Sequence, residues 1–500
     1  MTIDYDVVII GGSLAGRNAA LAATHLHATV ALVEPKVNYG VIYHHALGEI
    51  AKLAQRLDGA ANFGIHSYSA DTAQDNYLNG RTPTTVFSEK SQISVEWQEA
   101  MLYARGVVSN LQEQNSLAIL AAQGVDVILG SGEFVVSPHL AFAVNKRQLR
   151  ARTYLLASGS RPAIPEIEGL ENIGFFTLSN IWQALCESPI LPKNWVIIGG
   201  VPQSIEVAQI LARLGCSVTL VVNHPYILPN LEPEITQLLQ AQLEVDGVRL
   251  LTQTTVTQVR RIDNQKWIQA GDKAIETDEI LVAIAQQPNI ESLNLAAVGV
   301  KWHQHRLMVN DKLQTTNRRI YACGDVLGGY ELANIANSEA KIALNNALFF
   351  PVNKVNYQCI PWGLFSYPML AQVGLTEKQA KRRYIQDEVL VLRQYFKTLT
   401  AAQISEETTG ICKLIVLRNG EILGASLLGA EAGELINLIA LAISQKIKIN
   451  QLANLSVLYP GFSEIIEQTA REWERQRLNS NIALQDFLEG FFDFRRNWNI

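Results

Sequence analysis

The sequence predicts an α/β fold with two dinucleotide-type βαβ units, followed by a smaller α+β region. Three observations carry that prediction. An apolar, β-branched run at residues 7–10 leads directly into Gly11-Gly12-Ser13-Leu14-Ala15-Gly16 and an alanine-rich helical segment over 18–28. The succession returns some 190 residues later as a run at 196–198, the turn Gly199-Gly200-Val201-Pro202-Gln203-Ser204, and a helical pattern over 205–214. Beyond Pro351 and Pro361, strand-like runs at 413–416 and 422–428 flank the turn signal Arg418-Asn419-Gly420 and precede a helical pattern over 432–444.

The first unit is justified by its physics. A continuous β-branched run suits a parallel strand buried on both faces. Small residues at the turn let the backbone approach a pyrophosphate at a helix N-terminus, where free N–H groups and the helix dipole favour anions. The second strand, 30–33, ends at Glu34, 18 residues after Gly16, where an acid accepts hydrogen bonds from ribose hydroxyls. Ser13 stands where the middle glycine usually does. A glycine turn alone is weak evidence, but strand, helix and acid in register favour nucleotide binding over a purely structural turn.

Bulk properties narrow the field. A length of 500 residues suggests three or so domains, and 48% hydrophobic residues supply their cores. A net charge of −6 argues against a nucleic-acid partner. The five cysteines, at 186, 216, 323, 359 and 412, have no metal-site or Cys-x-x-Cys spacing, which suits a reducing compartment. No cationic leader precedes residue 7, and no apolar stretch reaches the ~20 residues of a spanning helix. The expectation is a cytoplasmic protein with no transmembrane segment.

Further segments carry a resemblance. Leu156-Ala157-Ser158-Gly159-Ser160-Arg161-Pro162 and Ile320-Tyr321-Ala322-Cys323-Gly324-Asp325-Val326 look like two flavin motifs. Phe365-Ser366-Tyr367-Pro368, Val373-Gly374-Leu375-Thr376-Glu377, Ile422-Leu423-Gly424-Ala425 and Gly429-Ala430-Glu431-Ala432-Gly433-Glu434 look like a dimerisation domain. From Asp4 to about Gln468 the chain resembles the pyridine nucleotide–disulfide oxidoreductases. The resemblance implies two nested Rossmann-like dinucleotide-binding domains plus a C-terminal α+β dimerisation domain, bound FAD, an NAD(P) domain and a homodimer. The flavin domain is expected at 1–165 and 285–350, the NAD(P)-type domain at 166–284, the dimerisation domain at 351–475 and an aromatic, basic tail at 476–500. The implied FAD contacts are Gly11, Gly12, Ser13, Leu14, Ala15, Gly16, Glu34, Pro35, Ala157, Ser158, Gly159, Gly324, Asp325, Leu332 and Ala333, with Asp325 on the ribityl chain.

The departures from the family pattern bear on function. Its Cys-x4-Cys pair, counted nine residues on from Glu34, falls on Tyr43 and Gly48, so thiol–disulfide exchange there is chemically impossible. Cys323 has no partner in sequence, and isolated buried cysteines are usually inert. The family's catalytic histidine segment reads Tyr459-Pro460-Gly461-Phe462-Ser463-Glu464. Tyr459, with an ordinary pKa near 10, is no substitute base but can donate a hydrogen bond or proton, or simply fill space at a dimer interface. Glu464 is retained without the histidine it orients in relatives. The family's lysine and glutamate, an ion pair beside the flavin N5 edge, fall on Lys52 and Glu206. The nicotinamide turn is degraded: Val201 sits where bare backbone meets a pyrophosphate, and the strand end Leu220-Val221-Val222-Asn223-His224 offers neither the acid of an NAD site nor the arginines of an NADP site. The family's Gly-Arg-x-Pro-Asn has become Ala285-Gln286-Gln287-Pro288-Asn289. His44 and His45 are candidates for acid, base or packing roles; without a carboxylate at ligand spacing, no metal is expected. The tail carries Phe487, Leu488, Phe491, Phe492, Phe494 and Trp498 at largely helical spacing, suited to a membrane surface or a partner and better to docking on its own dimer, since one short amphipathic helix is a weak anchor.

These readings converge on an FAD-dependent oxidoreductase that passes electrons from flavin directly to a small non-disulfide acceptor, with NAD(P)H a candidate donor. Lys52 and Glu206 would tune N5, and Tyr459 would act from the neighbouring subunit. Two alternatives remain open: a flavin-binding pseudoenzyme with a binding or regulatory role, and a flavoprotein reduced by a protein partner.

Overall fold

The computed structural model describes residues 3–33, 39–63, 94–136, 139–263, 265–304, 306–329, 331–479 and 481–498. The chain opens with β1 (Tyr5–Ile10), α1 (Leu14–His25), β2 (Val30–Val33) and α2 (Gly40–Asp58). Helix α1 begins at the glycine turn, earlier than its alanine-rich stretch suggests. The Ser13 side chain accepts from the Gly16 N–H and caps it there.

β1 is the middle strand of a five-stranded parallel sheet ordered Ile320–Ala322, Ala151–Leu156, β1, β2, Asp126–Ile128. Ile10 lies opposite both Val33 and Leu156, so three strands end side by side and open one crevice at their carboxyl ends. The strand Ile320–Ala322 returns to this sheet after the chain has built a second one. That second parallel sheet is ordered Val248–Leu251, Ser217–Val221, Asn194–Ile198, Glu279–Val282, Phe176–Thr177. Ile198 lies opposite Val221 and Val282, which repeats the crevice. The insertion of one sheet's chain into the other is the nesting expected from the sequence.

The third sheet is antiparallel, with the helix Ala432–Ser444 packed on it: Trp362–Leu364, Met369–Gly374, Ile422–Gly429, Ile411–Leu417, Val389–Tyr395. One apolar core crosses all three regions. It joins Leu47 of α2, Trp195 and Leu220 of the second sheet, and Leu364, Ile411 and Leu428 of the third. Among the described residues no helix is long and apolar enough to cross a membrane. The aromatic tail forms a helix, Ile482–Asn497, with no buried residue.

An ion-pair network fixes the second sheet's region to the third. The Lys413 ammonium, on Ile411–Leu417, lies 2.8 Å from Glu232, 2.5 Å from Glu234 and 2.7 Å from Glu377. These three carboxylates are close enough to hold a cation, and the lysine is that cation. Lys413 and Glu232 are each only 3% exposed at the side chain, so removing one partner strands buried charge. Burial pushes the Glu377 carboxyl up, but hydrogen bonds from Lys381 and Lys413 outweigh it and bring it down to about 2. A depressed carboxylate stabilises the fold above its unfolded value and loses that contribution as pH falls. Lys413→Met should therefore cost about 3–5 kcal/mol in urea unfolding at neutral pH. The gap between wild type and variant should narrow as pH drops from 4.5 towards 2.

Candidate functional site

The first crevice is shaped by a steric constraint that explains its glycines. Gly11 has φ +115°, and a Cβ there would lie 2.1 Å from the Ala157 carbonyl oxygen. A Cβ on Gly16 would meet the Gly11 carbonyl oxygen at the same distance. The tip of β1 therefore touches the end of Ala151–Leu156, and α1 starts against it, with its first amides facing the crevice. Ala157 is held by its N–H on Ile10 O at 2.7 Å. The Ser158 hydroxyl donates to Asn289 O at 2.9 Å, and Gly159 (φ +68°) has open space around it. Across the crevice, the Gly324 N–H donates to the buried Glu339 at 2.6 Å. Asp325, half-buried, is pushed up by its burial and receives the Ser160 hydroxyl at 3.4 Å. Leu332 precedes the helix Ala333–Leu348 and gives it no side-chain cap, leaving a second helix N-terminus open. Gly11, Gly16, the α1 amides, Asp325 and the Leu332–Ala333 terminus thus fit a dinucleotide with an anionic bridge and hydroxylated chain. Glu34 and Pro35 lie outside the described residues.

The second crevice repeats the architecture with different residues. Gly199 has φ +124°, and a Cβ there would lie 2.0 Å from the Ala283 oxygen, the counterpart of Gly11 against Ala157. Ser204 takes the third glycine's place, with its hydroxyl on Val201 O at 2.7 Å. A Cβ on Gly200 would strike the Val222 side chain at 2.9 Å. Pro202 opens the helix Pro202–Arg213 and removes an amide that would otherwise face a phosphate. Glu331 lines this cleft with Val201, Ala285 and Gln286. Burial, and then Asp325, pushes its carboxyl up to about 7. Sequence reasoning missed Glu331, whose place depends on folding rather than on any motif.

The expected Lys52–Glu206 pair is not formed. Glu206, 5% exposed, has one oxygen 2.5 Å from His44 Nε2 and the other accepting from the Phe365 N–H at 2.6 Å. Lys52 lies on the outer part of α2, 3.8 Å from Glu49 and over the Tyr367 ring. The correction has a geometric cause. His44, in the second turn of α2, faces Glu206, and Lys52 lies eight residues further along the same helix. Taking His44 as the position facing Glu206 moves the register back eight residues and puts the thiol positions at Pro35 and Gly40. Neither is cysteine in this register either. His44 and His45 rings are 5.6 Å apart, with Trp182 6.0 Å from His44 and Phe365 4.3 Å from His45.

The remaining candidates lie apart from this junction. The Tyr459 side chain is exposed, with its hydroxyl 3.3 Å from Thr400. Glu464 accepts from the Gly461 N–H at 3.0 Å, so it caps its own turn rather than standing idle. Burial pushes the thiols of Cys323 and Cys359 up, and those of Cys216 and Cys412 up to about 12.

Two parallel sheets with paired glycine turns and an antiparallel third sheet define a two-dinucleotide-domain oxidoreductase with a dimerisation domain. The chain belongs to the pyridine nucleotide-disulphide oxidoreductase family, which it matches over residues 5–340, with that family's dimerisation domain over 360–470. Membership implies an FAD-dependent oxidoreductase, and the dimerisation domain supports a homodimer. The chain is similar to the mercuric reductase of Staphylococcus aureus, at 29% identity over 94% of this chain and 83% of that one. It is also similar to the dihydrolipoyl dehydrogenase of Bacillus subtilis, at 28% over 92% and 97%. Two solved structures share the fold. LpdA from Mycobacterium tuberculosis has a TM-score of 0.80 and 22% identity, covering 93% of this chain and 99% of that one. The Cu(II) complex of the HOCl-induced flavoprotein disulfide reductase RclA from Escherichia coli has a TM-score of 0.77 and 22% identity, covering 94% and 99%.

Two substitutions separate the scaffold from the periphery. Gly11→Ala should destabilise the first unit by about 3 kcal/mol or more and abolish flavin retention, measured by thermal unfolding and flavin content. Lys52→Met should change turnover less than about twofold, because the half-buried Lys52 contacts Glu49 and the Tyr367 ring and not Glu206.

Proposed function

We propose that this protein is an FAD-dependent oxidoreductase that passes electrons from flavin directly to a small non-disulfide acceptor, such as a quinone. One observation carries the proposal. The first crevice retains its dinucleotide cradle, yet the chain has no cysteine before Cys186, so no register of the β2–α2 segment supplies a thiol pair. The cysteines are all free, four of them held away from thiolate by burial, in keeping with a reducing, cytoplasmic setting. When bound, flavin supplies two-electron chemistry. Gly11, Gly16, Asp325 and the Leu332–Ala333 terminus would hold it, and the acceptor would approach beside the start of α2, where relatives carry their thiols.

A second reading concerns the donor. Pro202 offers no amide to a phosphate in the second crevice, and the half-buried Glu331 adds an acid beside it. These features favour reduction by a protein partner over tight NAD(P)H binding.

An anaerobic titration of flavin-loaded protein with NADH, then NADPH, separates the donors by bleaching of flavin absorbance. Protein reduced chemically should be reoxidised by a soluble quinone and should give no turnover with lipoamide or glutathione disulfide. Disulfide reduction at a rate comparable to the quinone reaction would overturn the proposal.

A further inference from the structure

We propose that His44, oriented by Glu206, delivers the proton that accompanies electron transfer to the acceptor. The inference rests on the direct-transfer reading above and gives it a proton donor. His44 is the fifth residue of α2, which follows the carboxyl end of β2, and Glu206 is the fifth residue of Pro202–Arg213, which follows the carboxyl end of Asn194–Ile198. The pair therefore joins the helix that follows β2 to the helix that opens at the second crevice, both on the carboxyl-end side of their sheets, where open α/β sheets place their ligands.

The hydrogen bonding assigns each nitrogen a task. Glu206 accepts from the Phe365 N–H with one oxygen and faces His44 Nε2 with the other; in the proposed arrangement Glu206 is the carboxylate and Nε2 carries the hydrogen between them. Nδ1 has no hydrogen-bond partner among the described residues. It is also not among the buried polar atoms left unsatisfied. A carboxylate that orients one imidazole nitrogen and leaves the other to exchange protons is the arrangement general acid–base catalysis requires. Glu206 is a positioning residue. The titratable and charged groups nearby are His45 and Glu49 on the same helix and Glu206 across the junction; Cys186 and Arg105 lie beside Tyr43. Burial, then His44, pushes the His45 imidazole down.

The step balances. With bound reduced flavin as the source of a hydride equivalent (two electrons and one proton), His44 Nδ1 would give the second proton to the other oxygen of a quinone, the product would be a hydroquinone, and His44 would regain its proton from water.

The test uses the full-length, flavin-loaded protein and His44→Gln, whose amide keeps a donor to Glu206 but does not titrate. Reoxidation of chemically reduced wild type by a soluble quinone should slow as pH rises through the histidine range, roughly 5–8. His44→Gln should be slower by about a hundredfold at the acid end and flat with pH. A second readout needs no acceptor: the flavin midpoint potential against pH should show a break in wild type that the variant lacks. If quinone fails to oxidise wild type but the break depends on His44, the acceptor reading fails and the proton role stands. Turnover with the wild-type pH profile and break in His44→Gln overturns the proton role and leaves the acceptor reading intact. Absence of the break in wild type overturns it as well. If His44→Gln does not retain flavin, His44→Lys, which keeps a charged partner that does not titrate in this range, is measured in the same way.

Discussion

The Glu206 carboxylate is the constraint on which the arrangement of the three regions depends. Its two oxygens are committed to different parts of the chain, one to His44 on α2 and one to the Phe365 amide. A buried carboxylate is tolerated only when paired and hydrogen-bonded, so these bonds dictate where both segments lie. The same helix repeats the device at helical spacing. Gln209 accepts from the Tyr367 N–H and donates to its carbonyl, each at 2.8 Å. Arg213 donates to that carbonyl and pairs with Asp246 at 2.9 Å. Residues 206, 209 and 213 form one face, and the third sheet's leading segment is stitched along it. Lys413 provides the second tie between the same regions, some way from the crevices.

Much of the fold was legible because it rests on local rules. A β-branched run, a turn with a glycine whose side chain would strike a neighbouring carbonyl, and a small-residue helix start form one signal, and it occurs twice. Gly199 against Ala283 repeats Gly11 against Ala157 even where the rest of the second turn has diverged. Ser204 shows how far such a signal stretches, since its hydroxyl bonds within the turn and a small polar side chain serves where glycine was expected. The helix Ala432–Ser444 and the strand Val30–Val33 follow their sequence patterns to the residue.

The site was less legible because it is assembled across the chain. The identity of Glu206 as one half of a pair was readable from its place after the second turn. The identity of its partner was not, because the count from Glu34 fixes a sequence position and not the face that α2 turns to Pro202–Arg213. Lys52 satisfied the count, but the structure turns on which residue of α2 faces Pro202–Arg213, and that is His44. No spacing rule would have recovered it, since His44 and Glu206 are 162 residues apart. Tyr459 and Glu464 pose a related difficulty. Their contacts within one chain describe a capped turn and an exposed phenol, whereas the role inferred for them belongs to a second subunit.

Histidine in place of lysine changes what the junction does without dismantling it. A lysine beside a carboxylate stays charged across the physiological range, so the pair is fixed. An imidazole keeps its Nε2–H on the carboxylate whether or not Nδ1 is protonated, so the Glu206 bond persists in both states. The proposed proton transfer uses Nδ1, which has no hydrogen-bond partner among the described residues. The network of Glu206, Gln209 and Arg213 keeps its geometry while one proton comes and goes at its edge. The structural duty of the pair and its capacity to move a proton are carried by different atoms of the same ring.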